Sequence, residues 1–377
     1  LPNAQLVGFD REAALERFRA TPSGRERAGR YWKIDLEAHE PKLPDSSTAG
    51  TVTIDSSHER VVVCDLQVAM RDHGALLARA LGRAVRPEHK WAALTQAFAG
   101  LGAFVYVPAD TCADDPIVIR YDIPAGGTVF PYTVVLAERS SRATIVERFD
   151  GGENAFVCGI AEIVTDENAG VTYAAVQTLP DSAEIFFTRA GLPGRDARVT
   201  WATAELGAAL AVTDVAVTID QPGVEAKIAT VFFPGGTQHV DVRSTVDHRI
   251  GDSTSETIVK SAATGGGQGR YLGNIRIEAH AQHTNASLRD DALLLSKRAH
   301  IDSVPALEIA ANDVKAYHGA TVGALDDEAV FYMTSRGIER SEVERMIALG
   351  FFEPALDRFP GEALREELRA ALALKVR

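Results

Sequence analysis

Cysteine is scarce in this chain, and nothing in its placement gives it a task. Cys64, Cys112 and Cys158 are the only three in 377 residues, far apart, with no C-x-x-C pair and no framework spacing; free thiols in a reducing compartment are expected. Basic residues are outnumbered, 39 Lys and Arg against 52 Asp and Glu, for a net charge of -13. So acidic a chain repels phosphates, which argues against a nucleic-acid partner or an anionic membrane surface. No apolar run approaches the roughly 20 residues that cross a bilayer. The opening LPNAQLVGFDREAALERFRA lacks the basic-then-apolar order of a signal peptide, so a cytoplasmic location is expected. A G-x-S-x-G elbow is missing too.

What is present divides the chain into three. Residues 1–100 read as a mainly helical domain. Asp10 can cap a helix whose Ala14, Leu15 and Phe18 share a face, and Thr21-Pro22-Ser23-Gly24 stops it. A second helical piece ends near Trp32, and Leu43 to Gly50 reads as a loop. Two short strands follow at Thr51 to Ile54 and Arg60 to Cys64. Helix returns from His73 to Ala84 and again from Pro87, with Trp91, Leu94 and Phe98 at helical spacing.

Residues 101–325 change to alternating strands of about four to six residues, bounded by Gly, Asp, Asn or Pro. Val215, Val217 and Ile219 point one way while Ala216 and Thr218 point the other. No helical crossover long enough for a βαβ unit separates most of them, which disfavours a doubly wound sheet. A sandwich or barrel and a parallel β-helix both remain open. A span this long would make an oversized sandwich, whereas a solenoid grows by adding coils. The reading is therefore an all-β core with α flanks, built as a parallel β-helix without a strict short repeat. Such a rod leaves strand edges at both ends, and the flanking helices look suited to cover them.

Residues 326–377 read as a C-terminal helical domain. Ala329, Val330 and Met333 begin it, and Ser341 with Glu344 forms a capping box for a helix ending at Gly350. A last helix aligns Leu364, Leu368 and Leu372. That stripe is either core or partner surface.

Few residues ask for a chemical role. His318, followed by Gly319-Ala320-Thr321, has small neighbours that let another surface approach, although a lone histidine is commonly structural. Gln238-His239-Val240-Asp241 with Asp247-His248 could pass for a metal site, but a polar ladder along a strand is the preferred reading. Gly265-Gly266-Gly267-Gln268-Gly269-Arg270 lacks the Gly-Lys-Ser/Thr and the helix of a phosphate cradle, so a turn is expected there. Asp290-Asp291 and Asp326-Asp327 raise a rival of another class, a β-helix lyase or hydrolase working with clustered carboxylates. Adjacent carboxylates on one strand point to opposite faces, however, and Asp326-Asp327 suit a helix start.

Several fixed words resemble a known family. GTQHVDVRSTVDH, LGNIRI before AQHTNA, LLLSKRAHIDSVPALEIAANDVKAYHGATVG, and FYMTSRGI before LGFF stand in one order, with RYWKIDL and KWAALTQAFAGLGAFVYVP in the first third. They are similar to the SufD branch of the SufB/SufD family, whose complexes assemble iron-sulfur clusters.

The resemblance implies a right-handed parallel β-helix with N-terminal and C-terminal helical domains. It implies a non-catalytic scaffold pairing with a SufB-like subunit through the β-helix and holding a SufC-like ATPase on the C-terminal helices. An exposed β-helix face leaves open a homodimer of the isolated chain on the surface offered to SufB, and the sequence does not decide between that and the heterocomplex. No tightly bound cofactor is implied: an iron-sulfur cluster or iron passes through transiently, and ATP enters only with SufC. By position, His318 matches an interface histidine that is a candidate ligand for iron or nascent cluster, while Ala316 stands where many members carry cysteine. Asp290 and Gly319 fall where SufB has its cysteine and glutamate. Tyr332, Arg336 and Phe351 are the expected ATPase contacts.

Overall fold

The computed structural model describes residues 10–21, 34–41, 50–85 and 90–376; the helical piece near Trp32, the loop from Leu43 and the helix start at Pro87 lie outside them. Helix α1 (Arg11–Ala20) begins as the sequence suggests, with Asp10 Oδ1 accepting from the backbone N–H of Glu12 at 2.9 Å and of Ala13 at 3.2 Å. Strands β1 (Thr51–Asp55) and β2 (Val62–Asp65) follow. Beyond them the chain winds into coils, each adding one strand to each of two sheets.

The first coils are β3 (Leu101–Val107) with β4 (Ile117–Ile123), and β5 (Thr128–Val129) and β6 (Pro131–Ala137) with β7 (Arg142–Gly151). Next come β8 (Phe156–Thr165) with β9 (Gly170–Gln177), β10 (Glu184–Leu192) with β11 (Arg198–Glu205), and β12 (Leu210–Ile219) with β13 (Glu225–Phe232). The rod finishes with β14 (His239–His248) and β15 (Thr254–Ala263), β16 (Gln268–Ile277) and β17 (Asn285–Leu294), and β18 (His300–Ile309) and β19 (Lys315–Ala324). Odd strands from β7 to β19 join β4 and β1 in a nine-stranded sheet, and the even strands from β6 to β18 join β3 and β2, with β5 beside β8, in a ten-stranded one. The fold is a parallel β-helix. From β3 onward, apart from β5, the strands run 7–10 residues rather than four to six, because outward positions that break the alternation in sequence still pair in the ladder.

One corner of the rod repeats in conformation rather than in letters. Asp110, Ser140, Asn168, Asp196, Gly223, Asp252 and His283 all take left-handed φ of 54–75°. The backbone N–H of each donates to a carbonyl of the following coil at 2.6–3.0 Å. Asp, Asn, Ser, Gly and His share this site because short polar side chains, or none, tolerate it. Gly265–Gly267 is likewise a turn, between β15 and β16, with φ 63° at Gly265.

Helices lie along the flanks of the rod. After α2 (Leu66–Asp72) and α3 (Gly74–Leu77) comes α4 (Lys90–Phe98), buried at every residue. Trp91 of α4 stacks on Phe186 of β10 at 4.0 Å between ring centroids, and Lys90 Nζ donates to the carbonyls of Phe18 and Thr21 at 3.0 Å, tying down the end of α1. The helix expected over His73 to Ala84 breaks up after α3. Glu162 of β8 accepts the N–H groups of Gly82 at 2.9 Å, Ala84 at 2.8 Å and Val85 at 3.4 Å, which draws those donors out of helical pairing.

At the other end stand α5 (Asp327–Thr334), α6 (Arg340–Leu356) and α7 (Glu362–Lys375). The expected Ser341 capping box is not formed. Helix α6 starts at Arg340, whose guanidinium pairs with Glu344 at 2.7 Å, and it runs past Gly350. Phe352, Ala355 and Leu356 are buried against Val146, Ala174, Ala202 and Val231 on the outer face of the nine-stranded sheet, and that burial outweighs a mid-helix glycine, which costs only about 1 kcal/mol. Leu364, Leu368 and Leu372 join the same cluster, so the stripe is core. These helices therefore cover a face, not an edge. An apolar stripe finds partners on small outward side chains, whereas a strand edge offers unpaired N–H and C=O groups that it cannot satisfy.

Glu162 has 0% exposure and also accepts from Tyr132 Oη. Glu162→Ala strands a phenol and three backbone donors, so equilibrium denaturation should show a loss of about 3 kcal/mol or more; a loss below about 1 kcal/mol would mean the carboxylate does not hold the loop.

Candidate functional site

The last coil differs from every coil before it. Strands β18 and β19 end their sheets at one extreme and β1 and β2 at the other; β1 and β2 pair antiparallel with β4 and β3, whereas the parallel stacking runs on to β18 and β19, each of which, among the described residues, has a side with no strand neighbour. Every residue of β19 but Ala316 is exposed, Tyr317 to 62%. A Cβ added at Gly319 or Gly323 would meet nothing within 4 Å, so the chain's own packing does not require those glycines.

His318 takes its position from register. It pairs with Leu288 of β17, which pairs with Thr257, in a column that continues through Ile228 and Trp201. Leu288, Ile228 and Trp201 face the interior of the rod. His318 continues that inward column, yet it is exposed because no coil lies beyond it. It therefore stands at the mouth of the lumen.

Two adjacent acids behind β19 have opposite environments, as alternation along a strand requires. Asp290 is buried on the lumen side; Ser303 Oγ donates to its Oδ2, and its Oδ1 has no partner. Burial, the largest influence, pushes the Asp290 carboxyl up to about 7, against the hydrogen bond from Ser303. Asp291 faces outward, where Lys260 Nζ and Arg289 Nε each donate to its Oδ2 at 2.8 Å and Thr321 Oγ1 of β19 donates to its Oδ1 at 2.5 Å. Burial raises the Asp291 carboxyl, but the hydrogen bonds from Lys260, Thr321 and Arg289 leave it below the ordinary range. The acids are thus not a catalytic pair. The sequence reading weighed Asp291 only as half of a carboxylate pair; its anchoring role was not legible, because Lys260 and Thr321 meet it only once coils stack.

The remaining polar candidates separate. Asp241 pairs with Arg270 at 3.3 Å, and both ring nitrogens of His248 lie 2.8 Å from hydroxyls, of Ser253 and Ser255. Burial pushes the His248 imidazole down to about 4, which keeps it neutral. Among the described residues no group of three or more His, Cys, Asp or Glu is arranged to hold a metal ion. Asp326 Oδ1 caps α5, accepting from Glu328 N at 2.9 Å. The cysteines are unpaired, and burial pushes the Cys158 thiol up to about 12 and the Cys64 thiol up to about 11.

On the helical flank, Phe331 and Tyr332 are 74% and 58% exposed and line a shallow groove of about 700 Å³ with Asp326, Glu328 and Ser335. The Arg336 guanidinium lies 4.8 Å from the Tyr332 ring centroid and donates to its Oη at 2.9 Å. Phe351 sits elsewhere, half-buried, with its ring against Phe352 and Lys260 Nζ 4.6 Å above it. Lys260 thus links Phe351 of α6 to Asp291, and Asp291 to β19.

Comparison with known proteins bears on this end of the rod. The sequence profile of the SUF system FeS cluster assembly SufBD core domain matches residues 121–351. The iron-sulfur cluster assembly protein SufD of Bacillus subtilis (strain 168) is 30% identical over 325 residues, 84% of this chain and 74% of that protein. SufB of the same organism is 23% identical over 313 residues, 82% of this chain and 67% of that protein. An iron-sulfur cluster assembly SufBD family protein of Staphylococcus saprophyticus is 24% identical over 80% of this chain, and the chain spans 66% of its length.

Asp291→Ala leaves a mostly buried Lys260 ammonium unpaired and frees Thr321, so a stability loss of roughly 3 kcal/mol is expected. Amide hydrogen exchange over residues 315–324 should quicken more than over the β8–β9 coil. Equal change in both segments would show that Asp291 does not anchor β19.

Proposed function

Because the chain belongs to the SufB/SufD family of iron-sulfur cluster assembly proteins, and so has a role in cluster assembly, we propose that it serves as a non-catalytic scaffold subunit. It docks a SufB-type subunit along the open edge of β19 and an ABC-type ATPase of the SufC kind on its C-terminal helices. The observation that carries this reading is the unpaired ten-residue edge of β19. Natural sheets blunt such an edge unless something pairs with it, and a partner strand would satisfy its free N–H and C=O groups directly. The absence of side chains at Gly319 and Gly323 lets that partner come close. In isolation the edge has a second copy of the same chain available, which gives a homodimer on the surface meant for SufB.

The cargo is iron or a nascent cluster, and His318 is the group this chain offers to it. An imidazole nitrogen at the mouth of the lumen suits iron, and a ligand drawn from each side of a seam makes assembly depend on the pair. With alanine at 316, no thiolate comes from that position. Nucleotide chemistry belongs to the ATPase partner, for which Tyr332, Arg336 and the exposed Phe331 form an aromatic and cationic patch of the type that dominates interfaces; Phe351 supports it from behind through α6. The three free thiols fit a reducing compartment, and we assign the chain to the cytoplasm. No described helix is long and apolar enough to cross a membrane.

His318→Ala should lower the cluster content of the complex reconstituted with SufB-type and SufC-type partners, with an unchanged unfolding midpoint; an unaltered yield makes His318 structural. Tyr332→Ala with Arg336→Glu should weaken ATPase capture by about tenfold or more in affinity. Wild-type chain that retains no such ATPase, and instead cleaves a polysaccharide, would reverse the assignment in favour of a β-helix carbohydrate enzyme.

A further inference from the structure

In the early coils of the rod, the lumen holds a cluster of two carboxylates and one guanidinium. Glu147 on β7 and Glu205 on β11 are 0% and 1% exposed, and Arg189 on β10 is 1% exposed. Arg189 Nη1 donates to Glu205 Oε1 at 3.2 Å, and Thr213 Oγ1 donates to the same oxygen at 2.9 Å. Glu147 meets hydroxyls and no cation at hydrogen-bond distance: Thr133 Oγ1 donates to its Oε1 at 2.7 Å and itself lies 2.7 Å from Tyr121 Oη, and the Tyr173 hydroxyl also bears on this carboxyl. The polar groups facing Glu147 are thus Tyr121 of β4, Thr133 of β6, Tyr173 of β9, Arg189 of β10 and Glu205 of β11.

The charges of this set do not balance. If both glutamates were ionised, the cluster would carry one uncompensated negative charge where water cannot screen it, and a guanidinium cannot give up its proton to change the count. Five buried atoms also lack partners: Glu147 Oε2, Tyr173 Oη, Arg189 Nε, Trp201 Nε1 and Glu205 Oε2. Buried polar atoms are satisfied by protein or by ordered water, and water needs two to four polar contacts to stay. Donors and acceptors in that mixture supply them. We propose that the lumen is a built site for one proton and for ordered water, with the proton resting on Glu147.

The placement follows from the geometry. Glu205 holds the cation, and Glu147 does not. Burial, opposed by the attraction of Arg189 and by the Thr133 and Tyr173 hydroxyls, pushes the Glu147 carboxyl up. A proton on Oε2 turns an orphaned acceptor into a donor toward Tyr173 Oη or a water, while Oε1 goes on accepting from Thr133. Arg189 Nε and Trp201 Nε1 can then reach Glu205 Oε2 through water. The folded chain thus binds a proton that the unfolded chain gives up near the ordinary carboxylate pKa. The stability this proton confers is complete below that value and is lost as pH rises toward the folded pKa.

Unfolding equilibria of the full chain, Glu147→Gln and Glu205→Gln, measured from about pH 5 to about pH 9, test this. Wild type should lose stability relative to Glu147→Gln by up to about tenfold in the unfolding equilibrium constant per pH unit, the signature of one linked proton. The other raised acids, Asp290, Asp241 and Glu162, are common to both chains and cancel. Glu205→Gln hands Arg189 to Glu147, ionises it and should remove the same slope. Parallel pH profiles for wild type and Glu147→Gln overturn the proposal. So does a wild-type stability that follows sodium or potassium concentration at fixed pH, since a metal cation would then be balancing the charge. If neither variant folds, carboxyl carbon resonances of glutamate-labelled wild type decide. A protonated carboxyl at neutral pH beside the Thr133 methyl supports the assignment, and ionised resonances throughout overturn it.

Discussion

Parallel coils hold together because each interior strand donates and accepts on both sides, and the ladder can end only where something else takes over that pairing. At the amino end, the short antiparallel strands β1 and β2 interrupt the parallel stacking and are the outermost strands of the two sheets. At the carboxyl end, among the described residues, no antiparallel strand follows β18 and β19, and the helices that come next seek apolar contact and lie on Ala174, Ala202 and Val231 of the outer face. The rod's asymmetry and the exposure of His318 both derive from that difference.

The same ladder fixes what the interior can contain. In-register stacking puts one inward residue of each coil above another, and most of these columns are Val, Ile, Ala and aromatic rings. Besides the His248 group with Ser253 and Ser255, polar exceptions gather in two places. Tyr121, Thr133, Glu147, Tyr173, Arg189 and Glu205 form the group in the early coils, while Ser244, Tyr271, Asp290 and Ser303 lead to the open end, with Ser244 Oγ 2.5 Å from Tyr271 Oη. The second group shares its end of the lumen with the His318 column. The outward face carries the mechanical connection, because Asp291 gathers Lys260, Arg289 and Thr321 and so ties the edge strand to the sheet on which α6 packs.

Much of the architecture could be read in the letters. The shift from helical spacing to alternation near residue 100, the lack of crossover helices and the return of helical spacing after Asp326 led to a stacked-coil core with helical flanks. Asp10 and Asp326 were legible as caps because capping is local. The edge-covering role given to the terminal helices was wrong, since a stripe such as Leu364, Leu368 and Leu372 reveals that it will be buried but not on what. Gly350 misled as a stop because the pull of Phe352 and Leu356 toward the sheet is tertiary. His318 stood out only beside its family words. Its lumen-facing register and the meeting of Asp291 with Lys260 depend on pairings between residues a coil apart, and that of Arg189 with Glu205 on two strands facing each other across the lumen, which no single sequence displays.

The left-handed corner residues bear on how such a chain can change length. Asp110, Ser140, Asn168, Asp196, Gly223, Asp252 and His283 mark equivalent points on successive windings, each latched to the next. Excising the segment between two of these marks removes one rung from each sheet and rejoins every column in phase. Taking out an odd number of residues within a strand would turn the rest of that strand inside out. Lineages of this rod are therefore free to grow or shrink in whole windings, and a ruler for that count is carried on one corner of the molecule.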